Sequence, residues 1–460
     1  MADQARALDR AIQKAAVTRS VFVAPDALDA LPESVRDFKG KPLIVVADDN
    51  TMEAAGRHAM SVLRDAGHLT ADPIVLGEKP RVKPHAKTAR EIAAIVRERG
   101  GIPISVGSGV INDLTKYAAQ VAATPYVCVA TAASMDGYAA SGAALLDDGF
   151  KRTLDCAPPI SVVADLDIVA RAPRRMAGWG YGDLAGKVVA GADWKLADAL
   201  GEEPINAEPF GMVQDNVREW LGQPAAIAAG DPVATGALVN GLLISGFAMQ
   251  AHGNSRPASG AEHLISHVWE MERLTFEGEP AAHGACVAIG TVGILALYEW
   301  FLAQDITQDT LRQTIDAASS PERIEAEIAA GFPEGHLADS ARTEMAIKGQ
   351  RAAYRQERLS ILAKRWPALR DELRQACVPA ATMEAWLKKA GAPAHPQDLG
   401  VSLTKFAADY RRARLIRRRY TLLDLLDELG WLDKGIAALF ASDGFWGRRS
   451  HADGQRVASA

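Results

Sequence analysis

Four of the ten histidines fall between His252 and His283, a concentration that could serve a metal ion. Ser259-Gly260-Ala261-Glu262 has the S-x-x-E form of a capping box, which predicts a helix from Gly260 through Trp269. His263 and His267 then stand on one face of that helix. With Leu264, Ile265 and Val268 beside them, the same pattern also describes a core helix carrying two hydrogen-bonded histidines. His283-Gly284 follows the polar loop Gly278 to Ala282 and precedes an apolar helix over Cys286–Trp300. Far upstream, Gly182-Asp183-Leu184 is expected to open another helix, with Lys187 one turn later. Two neutral imidazoles and one carboxylate make a three-ligand site with open coordination positions, the arrangement of catalytic rather than structural metals. Such a set accepts zinc, nickel or iron. Asp183 alone reads equally well as a helix cap.

A second group of residues suits a dinucleotide. Gly107-Ser108-Gly109-Val110-Ile111 follows a strand directly and opens a helix, so that backbone N–H groups and the helix N-terminus can approach a pyrophosphate. The third glycine of a full GxGxxG is replaced by Asn112. The next strand ends in Thr131-Ala132-Ala133-Ser134-Met135-Asp136-Gly137, and an earlier one in Asp48-Asp49-Asn50-Thr51. Each ending is also compatible with ordinary helix capping. Together they put three polar strand ends on the carboxyl edge of one sheet, where ligands of open α/β sheets bind.

The elements that must position these residues divide the chain in two. Between Lys41 and Asp165, short β-branched runs alternate with helical patterns, the signature of a parallel sheet covered by helices. Strands are expected over Pro42–Ala47, Ile102–Val106, Tyr126–Ala130 and Ile160–Ala164. Helices are expected over Thr51–Ala66, Ala89–Glu98, stopped by Gly100 and Gly101, and Val110–Ala119. Ala143 to Cys156, with the turn Asp147-Asp148-Gly149, reads as an inserted hairpin. After Ala172 apolar residues recur at helical spacing. Arg355–Leu373 and Phe406–Leu429 read as long charged helices. The basic run Arg411 to Arg419 in the second is a solvated or subunit-contact face, or else binds an anion or a partner. Trp446 to Ala460 is expected to fray. The resulting division is an α/β dinucleotide-binding domain over 1–170, a helical metal and substrate domain over 171–450 and a tail over 451–460.

With 460 residues and 48% apolar content, the chain can build more than one core. A net charge of −6 excludes a general attraction to nucleic acid or anionic membrane and favours small-molecule partners. Cys128, Cys156, Cys286 and Cys377 form no CxxC pair and read as reduced core residues. Met1 to Lys14 lacks the apolar core of a signal peptide, and no later run is read as a membrane span. The expected location is cytoplasmic.

At these residues the chain resembles the sn-glycerol-1-phosphate dehydrogenases, a branch of the iron-containing alcohol dehydrogenase and dehydroquinate synthase-like superfamily. The resemblance rests on GSGVINDLTK (Gly107 to Lys116), TAASMDG (Thr131 to Gly137), GDLAGK (Gly182 to Lys187), SRPASGAEHLISH (Ser255 to His267) and His283-Gly284. It implies a Rossmann-like nucleotide-binding domain, an all-α metal-binding domain and an active site in the cleft between them. A homo-oligomer, a dimer or larger, is expected. Carried over, Asp183, His263 and His283 are metal ligands. Gly107, Ser108, Gly109, Val110, Ile111, Thr131, Ala132, Ala133 and Ser134 contact NAD or NADP, and Asp48 lies toward its ribose. Asp136 and His267 face the substrate. Ala140 departs from the family's usual serine. The implied reaction is metal-dependent reduction of dihydroxyacetone phosphate. The alternatives are a polyol dehydrogenase on an unphosphorylated alcohol and a cyclising lyase of the dehydroquinate synthase kind, the latter disfavoured by Asp183 where that family prefers glutamate.

Overall fold

The computed structural model describes residues 2–78, 81–147, 150–307, 320–350 and 352–454. Among the described residues the first eight strands are β1 (Ser20–Ala24), β2 (Leu43–Asp48), β3 (Ile74–Leu76), β4 (Ile102–Gly107), β5 (Val127–Ala130), β6 (Ala143–Asp147), β7 (Phe150–Leu154) and β8 (Ser161–Asp165). Six of them form one sheet in the order β1-β8-β5-β4-β2-β3, every neighbouring pair parallel. β6 and β7 form the expected antiparallel hairpin. Asp148 and Gly149 of its expected turn lie outside the described residues.

The alternation of side chains along a strand explains why this sheet carries two cores. Leu43, Val45 and Ala47 of β2 point into one apolar cluster with Ile102, Ile104 and Val106. Ile44 and Val46 point into the other, with Ala89, Ile92, Ala93 and Val96 of α1 (Ala86–Arg99) and Ile111, Leu114 and Ala118 of α2 (Gly109–Ala122). Gly100 ends α1 with φ +60°, the left-handed cap that a glycine adopts without a Cβ penalty. β1 and β3 escape the sequence pattern. They are short, only partly buried edge strands, and β1 finds its partner β8 141 residues away, Ser20 Oγ lying 2.8 Å from Ser161 Oγ.

The later chain is helical except for two two-residue strands, and the helices used below are α3 (Arg174–Ala199), α4 (Pro232–His252), α5 (Ala261–Met271), α6 (His283–Leu302), α7 (Arg355–Ala376), α8 (Leu403–Leu415) and α9 (Leu422–Glu428). Several expectations are corrected here. Gly182 does not open a helix: α3 starts at Arg174 and passes through it. The glycines that look like breakers instead permit close packing. A Cβ on Gly178 would stand 2.6 Å from Gly391 O, and one on Gly180 would stand 2.1 Å from Ala133 O. The single helix expected over Phe406–Leu429 is two, α8 and α9, because Thr421 and Asp424 form a capping box that restarts the helix. Within the basic run, Arg412 and Arg414 are buried rather than solvated, pairing with Asp409 and Glu272 and with Asp427 and Glu327. Trp446 does not fray; it is buried against Phe406, Phe440 and Phe445 in a helix over Phe445–Gly454. Residues 455–460 lie outside the described residues. Two helices, α4 and α6, are after all long and apolar enough to cross a membrane, but most of each is buried inside the protein, as in core helices.

The chain resolves into two compact units that interleave in sequence. The first comprises Met1–Leu184, Ala207–Ala258 and Lys389–Ala392. The second, wholly helical in its long elements, comprises Ala185–Asn206, Ser259–Lys388 and Pro393–Ala460.

Candidate functional site

The sheet brings β2, β4 and β5 side by side, so the three polar strand ends share one edge, with Gly107 opposite Ala130 in register. β4 passes into α2 through Ser108, whose side chain makes no cap bond. The first-turn N–H groups of α2 therefore face the sheet edge without a side-chain acceptor, the arrangement that suits a pyrophosphate. Gly107 has to be glycine here, because a Cβ would stand 2.5 Å from Ile111 Cβ. A Cβ on Gly109 would meet Met135 at 3.3 Å. At the end of β2, Asp48 Oδ1 accepts from Thr51 N at 2.7 Å and Thr51 Oγ1 from Asp48 N at 3.0 Å, a capping box. Asp48 thus serves the helix start directly.

No helix follows Thr131-Ala132-Ala133-Ser134. The segment is irregular backbone held by side chains: Tyr138 donates to Ala132 O at 2.6 Å, and Ser134 Oγ lies 3.3 Å from Tyr138 Oη. Lys116 Nζ donates to the carbonyls of Gly137, Ala140 and Gly142 at 2.9, 2.9 and 3.0 Å. Ala140 thus contributes a backbone acceptor to Lys116. Asp136 is buried; its Oδ2 accepts from Ser245 Oγ of α4 at 2.9 Å, and its backbone N–H donates to Asp183 Oδ2 at 2.9 Å.

Asp183 stands on α3 and belongs to the first unit. Along the next turn, Gly186 lets α3 approach α5 and α6 closely: a Cβ there would meet Val287 at 2.8 Å and Glu262 and His263 at 3.3 Å. Asp183, His263 and His283 each offer a ligand atom, and all three atoms lie within 4.8 Å of one another. The ring centroids of His263 and His283 are 5.2 Å apart.

The start of α5 differs from the expected capping box. Gly260 occupies the N-cap, Glu262 Oε1 accepts from Gly260 N at 2.8 Å, and Asp193 Oδ2 of α3 accepts from Ala261 N at 2.8 Å. Glu262 also faces His263 Nδ1 at 2.6 Å, and Glu270 faces His283 Nδ1 at 2.7 Å. His267 sits 6.0 Å from the His263 ring and 6.3 Å from the His283 ring. Burial holds its pKa well below the ordinary histidine value; Glu270 opposes this shift, and Arg417 and the two neighbouring histidines reinforce it. Burial therefore favours the uncharged imidazole at His267.

The sequence reading missed Lys116, Asp193, Ser245, Glu262 and Glu270 as contributors. Only Glu270 carried a usable signal. It follows His263 by seven residues and His267 by three, which places all three on one helix face.

A family model for the iron-containing alcohol dehydrogenases matches residues 22–173. The glycerol-1-phosphate dehydrogenase [NAD(P)+] of Geobacillus thermodenitrificans is 30% identical over 335 residues, which cover 66% of this chain and 81% of that protein. The chain belongs to the glycerol-1-phosphate dehydrogenase family. The Bacillus subtilis glycerol-1-phosphate dehydrogenase is 28% identical over 431 residues, covering 93% of this chain and 96% of the relative. Helices beyond α6 therefore fall within the part of this chain that aligns with a family member. Among solved structures, the NADH-dependent butanol dehydrogenase A of Thermotoga maritima shares the fold, with a TM-score of 0.56, 14% identity and coverage of 90% of this chain and 96% of that one.

The donor set fits the divalent metal that the family implies, since two imidazoles and a carboxylate converge. All four cysteines are free and none belongs to that set. Burial pushes Cys128 and Cys156 up to about 12, which leaves them as unreactive thiols.

Proposed function

We propose that the protein reduces dihydroxyacetone phosphate to sn-glycerol 1-phosphate with NADH or NADPH, using one divalent metal held by Asp183, His263 and His283. The observation that carries this reading is the convergence of those three ligand atoms in a chain of this family. Dinucleotide binding is assigned to residues 1–170 and metal and substrate binding to residues 171–450. Within the first, Gly107, Ser108, Gly109, Val110 and Ile111 cradle the pyrophosphate through backbone N–H groups. Thr131, Ala132, Ala133 and Ser134 line the next strand end, and Asp48 is assigned to the ribose side.

When bound, the metal supplies Lewis-acid stabilisation of the charge that develops on the substrate oxygen, and the nicotinamide supplies the hydride. Asp183, through the Asp136 N–H it accepts, ties the ligand set to the SMDG turn. Asp136, kept in place by Ser245, faces the substrate end. His267, uncharged, hydrogen-bonds a substrate oxygen through one ring nitrogen. We also take the enzyme to be a cytoplasmic homo-oligomer that neither binds nucleic acid nor inserts into a membrane, in keeping with its net charge of −6.

The test is an assay of dihydroxyacetone phosphate and unphosphorylated dihydroxyacetone with both nicotinamides, alongside elemental analysis of the purified protein. Metal-dependent oxidation of NADH or NADPH with the phosphorylated ketone alone is expected. Equal or better turnover of the unphosphorylated ketone would move the protein to the polyol dehydrogenases.

A further inference from the structure

The two candidate ligand histidines share a feature that the third histidine of the cluster lacks. His263 Nδ1 lies 2.6 Å from Glu262 Oε1, and His283 Nδ1 lies 2.7 Å from Glu270 Oε1. Both carboxylates are buried against their rings, with side-chain exposures of 0% and 7%. His267 lies on the same helix face, yet its Nδ1 has no hydrogen-bond partner among the described residues.

An ionised carboxylate only accepts, so the ring atom facing it must carry the proton. In a neutral imidazole the other nitrogen, Nε2, then bears the lone pair. We propose that Glu262 and Glu270 are positioning residues that hold His263 and His283 in the Nδ1–H tautomer and dedicate both Nε2 lone pairs to the divalent cation. This rests on the reading of Asp183, His263 and His283 as the ligand set.

Two physical consequences follow. Each carboxylate draws on the Nδ1 proton and makes Nε2 a stronger donor to the cation. With Asp183, the two glutamates would also place three carboxylates in or directly behind the ligand set of a divalent cation, in a mostly buried site where charges interact more strongly than in water. His267 lacks such a carboxylate on Nδ1 and is not one of the three residues whose ligand atoms converge. The two glutamates differ in what else they do. Glu262 accepts from Gly260 N at the start of α5, so losing that oxygen also disturbs the helix cap. Glu270 sits in the last turn of α5, away from that cap.

The experiment uses full-length protein stripped with a chelator and titrated with Zn2+ against a chromophoric competitor. Wild type, Glu270→Gln, Glu270→Ala, Glu262→Gln and His263→Ala are compared, with thermal unfolding of each apo form as the control for folding. Glu270→Gln should keep one Zn2+ per chain but bind it about 10–100-fold more weakly, and Glu270→Ala more weakly still. Glu262→Gln should weaken Zn2+ binding similarly, its amide oxygen still accepting from Gly260 N. His263→Ala should lose the tight site. Unchanged Zn2+ affinity in both Glu270 variants, with the site lost in His263→Ala, overturns the positioning role and leaves the ligand set standing. Absence of a tight Zn2+ site in wild type overturns the ligand set and the positioning role together.

Discussion

In the sheet-bearing unit the Lys116 ammonium, 1% exposed, donates to three backbone carbonyls, whereas in the helical unit the Asp193 carboxylate, fully buried, accepts from Ala261 N, Leu422 N and Tyr298 Oη at 2.8, 3.0 and 2.6 Å. The lysine organises an irregular turn whose carbonyls have no ladder to join. The carboxylate meets the first N–H groups of α5 and α9, where a helix presents unsatisfied donors and positive potential. Neither group is assigned to a ligand. Each fixes backbone next to a residue that is: Gly137 follows Asp136, and Ala261 precedes His263 by two residues. Most partners of each buried charge are thus backbone groups, and the Lys116 ammonium also lies 3.6 Å from the Asp113 carboxylate.

Under the proposed assignment His263 and His283 belong to the helical unit, Asp183 to the sheet-bearing one, and the sheet edge takes the dinucleotide. The largest effect is therefore expected from His263→Ala and His283→Ala. Each should abolish stoichiometric metal and turnover while dinucleotide affinity, followed by fluorescence titration, stays largely intact. Metal retained at full stoichiometry in either variant would break the assignment. Asp136→Asn should lower turnover far more than it weakens dinucleotide binding. A collapse of cofactor affinity would move Asp136 to the nucleotide side.

Asp193→Ala tests the helical half of the contrast. It strands two helix N-termini and a tyrosine hydroxyl, and denaturant unfolding should show a loss of about 3–5 kcal/mol. Metal affinity should fall with it, because α5 carries His263. Lys116→Met leaves three carbonyls without their donor and should cost about 1–3 kcal/mol, without loss of metal stoichiometry. If it destabilises more than Asp193→Ala, the helix-terminus advantage of the carboxylate is wrong. A change of similar size is expected from Gly180→Ala. Its Cβ would meet Ala133 O at 2.1 Å, so the Thr131–Ser134 segment must shift at a cost of about 1–3 kcal/mol. The KM for dinucleotide should rise, and metal content should not change.

Much of the sheet unit was legible because its signals are local. β2, β4, β5 and β8 are short apolar runs followed by polar ends, and their parallel pairing follows from helices intervening in sequence. β1 was not legible, since its half-buried SVFVA acquires meaning only from a partner beyond residue 160. In the helical unit the face shared by His263, His267 and Glu270 is a matter of spacing alone. The cap of α5 is not, because its acceptor comes from Asp193, 68 residues upstream.

By itself the sequence determined the fold class, the glycine loop at the end of β4 and the residue types able to hold a metal, because each depends on neighbours within a turn or a strand. Only the tertiary structure decided that Asp183 belongs inside α3 rather than at a helix start. It alone decided that Glu262 and Glu270, and not other acceptors, face the histidine rings, and that α8 and α9 are separate. The physical reason is common to all of these. Local propensity is set by residues a few positions apart, whereas a buried polar group takes whichever partner the packing brings to it, and burial makes that partner obligatory.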